Sequence, residues 1–123
     1  MKSVLGNARK PDIIFHASGK IDITSGIVSR LRLSVGDVID ILTDEEEFYL
    51  YVKHRSSPMA GKYEGRISSS GKYGRHCRIW SVRLSKVILE ECNVNDVARL
   101  TVGELVKDNR YGNMLPIITK HLL

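Results

Sequence analysis

Residues 19–41, which read GKIDITSGIVSRLRLSVGDVIDI, decide the fold. Residues 20–24 alternate between polar and apolar, as a strand with one buried face does. A Thr-Ser pair can then cap a short helix over 26–32, because either hydroxyl can accept a hydrogen bond from the free amides of the first turn. After a break that ends in Gly-Asp, alternation returns over 38–42. The stretch therefore predicts a strand, a short helix and a second strand.

The same reading extends along the rest of the chain. It predicts an acidic turn over 44–47 and a second short helix from Ser85 through Cys92. Pro116 lacks an N–H, which favours an edge position for the last strand. The further strands are expected at 13–15, 48–52, 77–82, 97–102 and 114–118.

One order of elements occurs twice, in halves 13–53 and 76–118. It is strand, capped helix, break ending in Asp, strand, turn and strand. At an offset of 59, Ile21 and Ile23 fall on Trp80 and Val82, and Val35, Asp37 and Val38 fall on Val94, Asp96 and Val97. In the helices Ser25, Ile27 and Val28 match Ser85, Val87 and Ile88 at an offset of 60. A half of this size cannot bury much apolar surface alone. We therefore expect a mainly β protein with two short helices, a small barrel built as a pseudo-dimer.

The first half, over residues 19–41, resembles the AbrB-like swapped-hairpin superfamily, which includes prokaryotic transition-state regulators and antitoxins. The resemblance rests on the Gly19-Lys20 pair, the strand, the short helix and the Val35-Gly36-Asp37 turn before the second strand. A weaker repeat of the apolar skeleton covers 78–102.

This resemblance implies a small barrel of two interleaved modules, from two chains or here from one. It also implies DNA binding through basic residues of the first strand and helix. Lys20 stands at a matching basic position. Arg30 and Arg32 lie out of register with the family's helical basic residues, which fall on Val28 and Ser29 here.

The composition is typical of one soluble domain. The chain has 123 residues, of which 42% are hydrophobic and 27% charged. It has no apolar run of membrane-spanning length and no signal peptide. Two cysteines favour a reducing, cytoplasmic setting. We expect a polar N-terminal arm over 1–12 and one domain over 13–123, its halves joined by a Gly/Ser-rich segment over 54–75.

The positive charge is concentrated around that joining segment. Lys53 to Lys86 holds nine basic residues and one acid, a net charge of +8, whereas the rest holds ten basic and thirteen acidic residues, or −3. Such a distribution is typical of a surface that contacts a polyanion. A solvated loop that carries its charge only for solubility is the alternative.

A local duplication within the segment gives the candidate contacts. Residues 61–66 and 71–75 each combine Gly, Lys, Tyr and Arg. Lys and Arg can neutralise phosphates, and Tyr can stack on an unpaired base. A glycine-rich hairpin with packed tyrosines is the alternative. The predicted nucleic-acid-binding residues are Lys20, Arg55, Lys62, Tyr63, Arg66, Lys72, Tyr73, Arg75 and Arg78.

No catalytic, metal-binding or cofactor-binding arrangement is predicted. His76 and Cys77 are adjacent, so on a strand they point to opposite faces, and no further ligand pair has zinc spacing. The sequence therefore favours a non-enzymatic DNA-binding or transcription-regulatory protein. Alternatives are a protein-interaction or structural module of the same fold whose loop docks on an acidic protein partner, and a small-molecule or sugar binder that uses Trp80 and the tyrosines. Pairing of the halves within one chain and exchange between two chains in a homodimer both remain open.

Overall fold

A computed structural model describes residues 10–53, 65–67 and 76–120 of the protein. Within these ranges the chain forms nine strands and two helices. The first half supplies β1 (Ile13–His16), β2 (Lys20–Ile23), α1 (Ser25–Leu31), β3 (Val38–Thr43) and β4 (Phe48–Lys53). The remainder supplies β5 (Gly65–Arg66), β6 (Cys77–Trp80), α2 (Val82–Glu91), β7 (Val97–Val102), β8 (Val106–Asp108) and β9 (Gly112–Ile118).

The strands form one antiparallel sheet that curls into a barrel-like fold. Their order is β5-β3-β4-β9-β7-β1-β2-β6, and β8 pairs with β9 outside this path. The curl brings β5 and β6, the two ends of the path, to within 8 Å of each other between Cα atoms. The predicted mainly β barrel with two short helices is therefore confirmed. In the described ranges neither helix is long and apolar enough to cross a membrane.

The core is built from the inward positions of alternating strands. In β1 and β2 the residues Ile13, Phe15, Ile21 and Ile23 are at most 1% exposed, and the residues between them are half-buried. α1 and α2 add the apolar faces of both helices to the same cluster. Each fully buried Ile or Phe contributes roughly 1.5–3 kcal/mol. One core therefore receives side chains from both ends of the chain.

The two halves share equivalent hydrogen bonds. The Ala17 N–H donates to the Asp96 carbonyl at 2.8 Å, and the Ile67 N–H donates to the Asp37 carbonyl at 2.9 Å. The first bond continues the pairing of β1 with β7, and the second continues that of β5 with β3. β5 is thus the counterpart of β1. β2 pairs with its own counterpart β6, and β4 pairs with β9.

The two helices also end in the same way. Arg32 and Asn93 adopt left-handed backbone conformations, with φ of 52° and 57°. The N–H groups of the residues that follow them donate to the Val28 and Leu89 carbonyls at 3.0 and 3.1 Å. This is the hydrogen-bond pattern of a Schellman motif, which satisfies the last carbonyls of a helix. α1 has 7 residues and α2 has 10, so the repeat is close but not exact in length.

The predicted start of the second helix is wrong. Ser81, rather than Ser85, is the N-cap, and its side chain accepts a hydrogen bond from the Leu84 N–H at 3.2 Å. The helix therefore begins at Val82, three residues before the predicted cap. The offset of 60 between the helices is wrong for the same reason, because the N-caps Thr24 and Ser81 are 57 positions apart.

This earlier start also changes the alignment of the strands. Trp80 and Val82 were expected to share the buried positions of Ile21 and Ile23, but they are 60% and 63% exposed. β6 ends at Trp80, and its buried residues are Cys77 and Ile79. At the other end of α2 the predicted offset of 59 is correct, since β3 and β7 begin at Val38 and Val97.

Pro116 predicts an edge position for the last strand, and this prediction is wrong. β9 lies between β4 and β7, and β8 was not predicted. A proline is tolerated at this central position because Pro116 contributes its carbonyl to the hydrogen bonds with the neighbouring strand, and its missing N–H is not needed. The β7 ladder stops at the Val102–Ile117 pair, and the Gly103 N–H then donates to the Pro116 carbonyl at 2.8 Å.

Asp12, the last residue of the predicted arm, joins β7 to the start of α1. Its N–H donates to the Leu100 carbonyl at 2.8 Å, and its carboxylate accepts from the Val102 N–H at 2.9 Å, which attaches it to β7. Its carbonyl accepts from the Thr24 hydroxyl at 2.9 Å, next to α1. Residues 1–9 of the predicted arm lie outside the described residues.

Replacement of Gly19 by Ala is expected to destabilise the fold by several kcal/mol. Gly19 has φ of 98°, which costs an L side chain roughly 1–2 kcal/mol, and an added Cβ would lie 2.9 Å from Val82 Cγ2 and 3.0 Å from the Val82 N. Gly112→Ala is the matched control, because φ is 74° there but no atom lies within 4 Å. Urea unfolding should show the larger loss in Gly19→Ala. Equal losses would contradict the steric argument.

Two serines of the second helix are expected to respond in opposite ways. Ser81→Ala removes the N-cap hydrogen bond and should cost about 1 kcal/mol. Ser85 is fully buried and its Oγ has no hydrogen-bond partner among the described residues. Ser85→Ala should therefore leave the free energy of unfolding unchanged or raise it. Chemical denaturation measures both variants, and a loss of more than about 1 kcal/mol in Ser85→Ala would contradict this assignment.

Candidate functional site

The outward positions of β7, β1, β2 and β6 form a continuous surface, which we call the outer face. Because side chains alternate along a strand, the same four strands fill the core with one set of residues and present another set to solvent. The burial pattern follows this alternation in β1, β2 and β6, for example as buried, exposed, buried, exposed in β6, and in β7 up to Leu100. The outer face comprises Ile14, His16, Lys20, Asp22, Arg78, Trp80, Val97 and Arg99.

Strand register orders these side chains in rows across the sheet. Ile14 pairs with Arg99 on one side and with Asp22 on the other, and Asp22 pairs with Arg78. Lys20 lies directly opposite Trp80. The cross-strand neighbours of a sheet face are close enough to interact, so the face combines cations, one acid and one large aromatic side chain on a single rigid surface.

A charged network occupies the middle of the outer face. The Arg78 Nε donates to Asp22 Oδ1 at 2.7 Å, and the His16 Nε2 lies 3.0 Å from Asp22 Oδ2. Burial acts to raise the pKa of Asp22, but the hydrogen bonds from Arg78 and His16 outweigh it and the pKa is lowered overall. Asp22 therefore stays ionised near neutral pH and compensates the charge of Arg78.

Two other cations on the outer face are not compensated in this way. Within the part of the chain that is described, neither Lys20 nor Arg99 forms an ion pair. Arg99 is exposed at the β7 side of the face, and Lys20 is half-buried beside Trp80. The charge of Lys20 also helps to lower the pKa of Asp22, so Arg99 is the less compensated of the two cations.

Trp80 is the chain's single tryptophan and is 60% exposed. Tryptophan is highly buried on average, so this exposure is unusual for a residue in a regular strand. Val82, two residues further along at the start of α2, is 63% exposed. We call these two exposed residues the apolar corner.

An open groove of about 560 Å³ borders the outer face at the end occupied by Arg78. Lys10 and His76 line the groove together with Asp22 and Arg78. The groove also contains the exposed Ser25 at the start of α1. Asp12 lines the groove as well, so its cations and carboxylates are mixed.

Only part of the predicted site lies in the described residues. Lys20 and Arg78 are brought together on adjacent strands, but Arg78 is paired with Asp22. The Arg66 backbone is in β5 opposite Val38. The remaining predicted residues lie outside the described ranges, and these are Arg55, Lys62, Tyr63, Lys72, Tyr73 and Arg75.

Sequence reasoning did not place His16, Asp22, Trp80 or Arg99 in the site. The alternation of each strand would have found all four, since they hold the outward positions between buried residues. Trp80 was missed because the shifted alignment of the halves assigned it to the core. Cross-strand register, which brings Arg99 next to Ile14, is not visible in one sequence.

The cysteines are structural in the described part of the chain. Burial raises the pKa of Cys77 to about 11, and it also raises the pKa of Cys92, which Glu91 raises further. Such thiols are poorly ionised and weakly nucleophilic. Among the described residues, no three His, Cys, Asp or Glu side chains are grouped as ligands for a metal ion.

Substitution of Asp22 by Asn is expected to reduce the acid sensitivity of the fold. Since the folded-state pKa of Asp22 lies below its ordinary value of 3.8, ionised Asp22 stabilises the protein above that value, and the contribution is lost as the pH falls through the folded-state pKa. Urea titrations from neutral pH to about pH 2 measure this loss. Wild type should lose more stability over that range than Asp22→Asn. An exposed control, Glu104→Gln, should follow the wild-type profile, and identical profiles for wild type and Asp22→Asn would contradict the linkage.

Comparison with known proteins gives no relative from which a role could be transferred. No family model, no curated protein and no solved structure matches the chain. The residues of the outer face therefore carry the functional argument by their own geometry and charge.

Proposed function

We propose that this chain is a non-enzymatic DNA-binding or transcription-regulatory protein of the AbrB-like swapped-hairpin type. It contacts the phosphate backbone through the basic central segment over 54–75 and through the outer face. The observation that carries the proposal is the exposed Trp80 on a rigid sheet, directly opposite Lys20. A regulator of this kind would act in the cytoplasm.

The electrostatic part of binding would come from cations without a carboxylate partner. Lys20 and Arg99 lie on strands of one sheet, so their backbones are fixed relative to each other before binding. Each cation that contacts a phosphate releases counterions and makes affinity fall with salt. Arg78 would add less, because Asp22 already accepts its hydrogen bond at 2.7 Å.

Trp80 would supply the non-electrostatic part. An indole ring can stack on an unpaired base for roughly 1–3 kcal/mol, and the neighbouring cation can hold the adjacent phosphate. In duplex DNA the bases are stacked on one another, so the ring can contact base edges and the backbone but can stack on a base only if a base step opens. Trp80 would therefore add more to single-strand binding than to duplex binding, whereas the cations can contact the phosphates of both forms.

The internal repeat supports the proposal. β2, α1, β3 and β4 have counterparts in β6, α2, β7 and β9, and the two sets pair with each other in one sheet, as the resemblance implies for two interleaved modules. After the central segment the described chain resumes at His76, which lines the groove that borders the outer face.

A protein partner is the second candidate, and the apolar corner favours it. Trp80 and Val82 are both more than half exposed, and tryptophan is enriched at the centres of protein interfaces. An acidic protein would be attracted by the same cations as DNA. Competition distinguishes the two candidates, because a nucleic-acid surface must release a protein partner when oligonucleotide is added.

Titration of the protein with single-stranded and duplex oligonucleotides tests the proposal, with the intrinsic fluorescence of Trp80 as readout. We expect quenching by single-stranded DNA at about 50 mM salt and weakening as the salt rises to about 200 mM. Labelled-oligonucleotide anisotropy should show that Trp80→Ala weakens single-strand binding about 5- to 100-fold. Lys20→Gln with Arg99→Gln should lower the salt slope by about 1–2.

Lys120→Gln removes one positive charge at an exposed position after β9 and is the control for the single substitutions Lys20→Gln and Arg99→Gln. It should shift the affinity and the salt slope less than either of these two variants. Absence of binding at about 50 mM salt, or binding without a salt slope, would overturn the proposal. Binding that is unchanged in Trp80→Ala and in the Lys20/Arg99 variant would exclude the outer face.

A further inference from the structure

A second groove, of about 610 Å³, lies apart from the outer face between the end of α1 and the β8–β9 hairpin. Arg30 and Arg32 line it from the helix side, and Lys107 lines it from β8. None of its lining residues belongs to the outer face. Its volume is in the range of clefts that hold small ligands.

Backbone carbonyls hold one of the three cations in place. The Arg30 Nε donates to the Gly26 carbonyl at 3.4 Å and its Nη1 to the Gly103 carbonyl at 3.3 Å. A guanidinium has five N–H donors, so three remain for a ligand. Arg32, in a left-handed conformation at the end of α1 with φ of 52°, and Lys107 in β8 are exposed.

No carboxylate lines this groove among the described residues. Arg30, Arg32 and Lys107 also form no ion pair with the acids that are described. The nearby Asp108 is used inside its own turn, where its carboxylate accepts from the Arg110 and Tyr111 N–H groups at 2.8 Å. Three like charges without a counter-charge favour an anion between them.

The groove also has an aromatic and apolar wall. Tyr111 is 36% exposed, and its ring meets that of Tyr51 edge-on with centroids 5.4 Å apart. The Arg110 Cζ lies 5.3 Å from the Tyr111 centroid and adds a fourth positive charge at this wall. Val52 and Leu105 are half-buried beside it. A planar ring can pack against these side chains.

We propose that this groove binds a nucleoside phosphate as a small ligand. Arg30, Arg32 and Lys107 hold the phosphate oxygens, and the base packs against Tyr111 and Leu105. Guanidinium groups suit phosphate because they donate paired hydrogen bonds in a planar fork. The groove would make the protein responsive to a free nucleotide, a property beyond the DNA binding proposed for the outer face.

Isothermal titration calorimetry of the full chain tests this site with three probes, namely adenosine monophosphate, inorganic phosphate and adenosine. We expect adenosine monophosphate to bind with a stoichiometry of one, and phosphate to bind more weakly at the same groove. Arg32→Gln with Lys107→Gln should weaken nucleotide binding at least about tenfold. Tyr111→Ala should weaken adenosine monophosphate but leave inorganic phosphate unchanged.

Lys120→Gln, which changes the charge outside this groove, should leave nucleotide affinity within about twofold, as expected for a substitution outside the site. Circular dichroism and urea unfolding establish that each variant is folded. Absence of adenosine monophosphate binding, or binding that the Arg32/Lys107 variant retains, would overturn the proposal. A short oligonucleotide is also tested. If its binding is lost in the Arg32/Lys107 variant but retained in Trp80→Ala, the groove binds a nucleic-acid strand, and the proposal of a free-nucleotide site is overturned. The titrations for the outer face use other residues, so either proposal can fail without the other.

Discussion

The antiparallel pairing of β2 with β6 is the interaction on which the rest of the structure depends. It places Ile21 opposite Ile79 and Ile23 opposite Cys77, four side chains that are at most 3% exposed. One member of each pair comes from the first half and the other from the second. Neither strand can bury its inward face unless the other half is present, so the halves fold as one cooperative unit.

The same strands link stability to the candidate site. Each strand of the outer face contributes buried residues on its inner side, and the packing of those residues fixes where the outward side chains lie. A slip of one residue in β6 would turn Trp80 inward and expose Ile79. Such a slip would also bury polar residues of β6 in the core, which costs much free energy. This cost keeps Lys20 and Trp80 together on the surface.

Local sequence patterns predicted most of the fold. The features that they did not predict depend on contacts between residues far apart in the chain. Alternation located β2 and β3 because that signal lies within a few residues. The predicted hydroxyl cap of α1 is wrong, since Thr24 makes no side-chain cap hydrogen bond and its hydroxyl donates to the Asp12 carbonyl instead. The start of α2 was misplaced because Ser81 and Ser85 are both plausible caps, and packing selects Ser81 by burying Ser85. The outer face needed cross-strand register, and the second groove needed α1 and β8 to meet, so neither was visible in the sequence.

The ion pair between Asp22 and Arg78 has a consequence for how such a chain can diversify. The two residues pair directly across the β2–β6 ladder, where the two halves meet through counterpart strands. In a symmetric assembly of two identical copies, every pair away from the twofold axis occurs twice, once on each side of the axis. By the offset of 57 between the helix N-caps, Asp22 corresponds to Ile79, so the ion pair has no charged copy across the β2–β6 ladder. Covalent linkage of the halves lets one chain place an ion pair on one side of its ladder only, which a symmetric dimer cannot do.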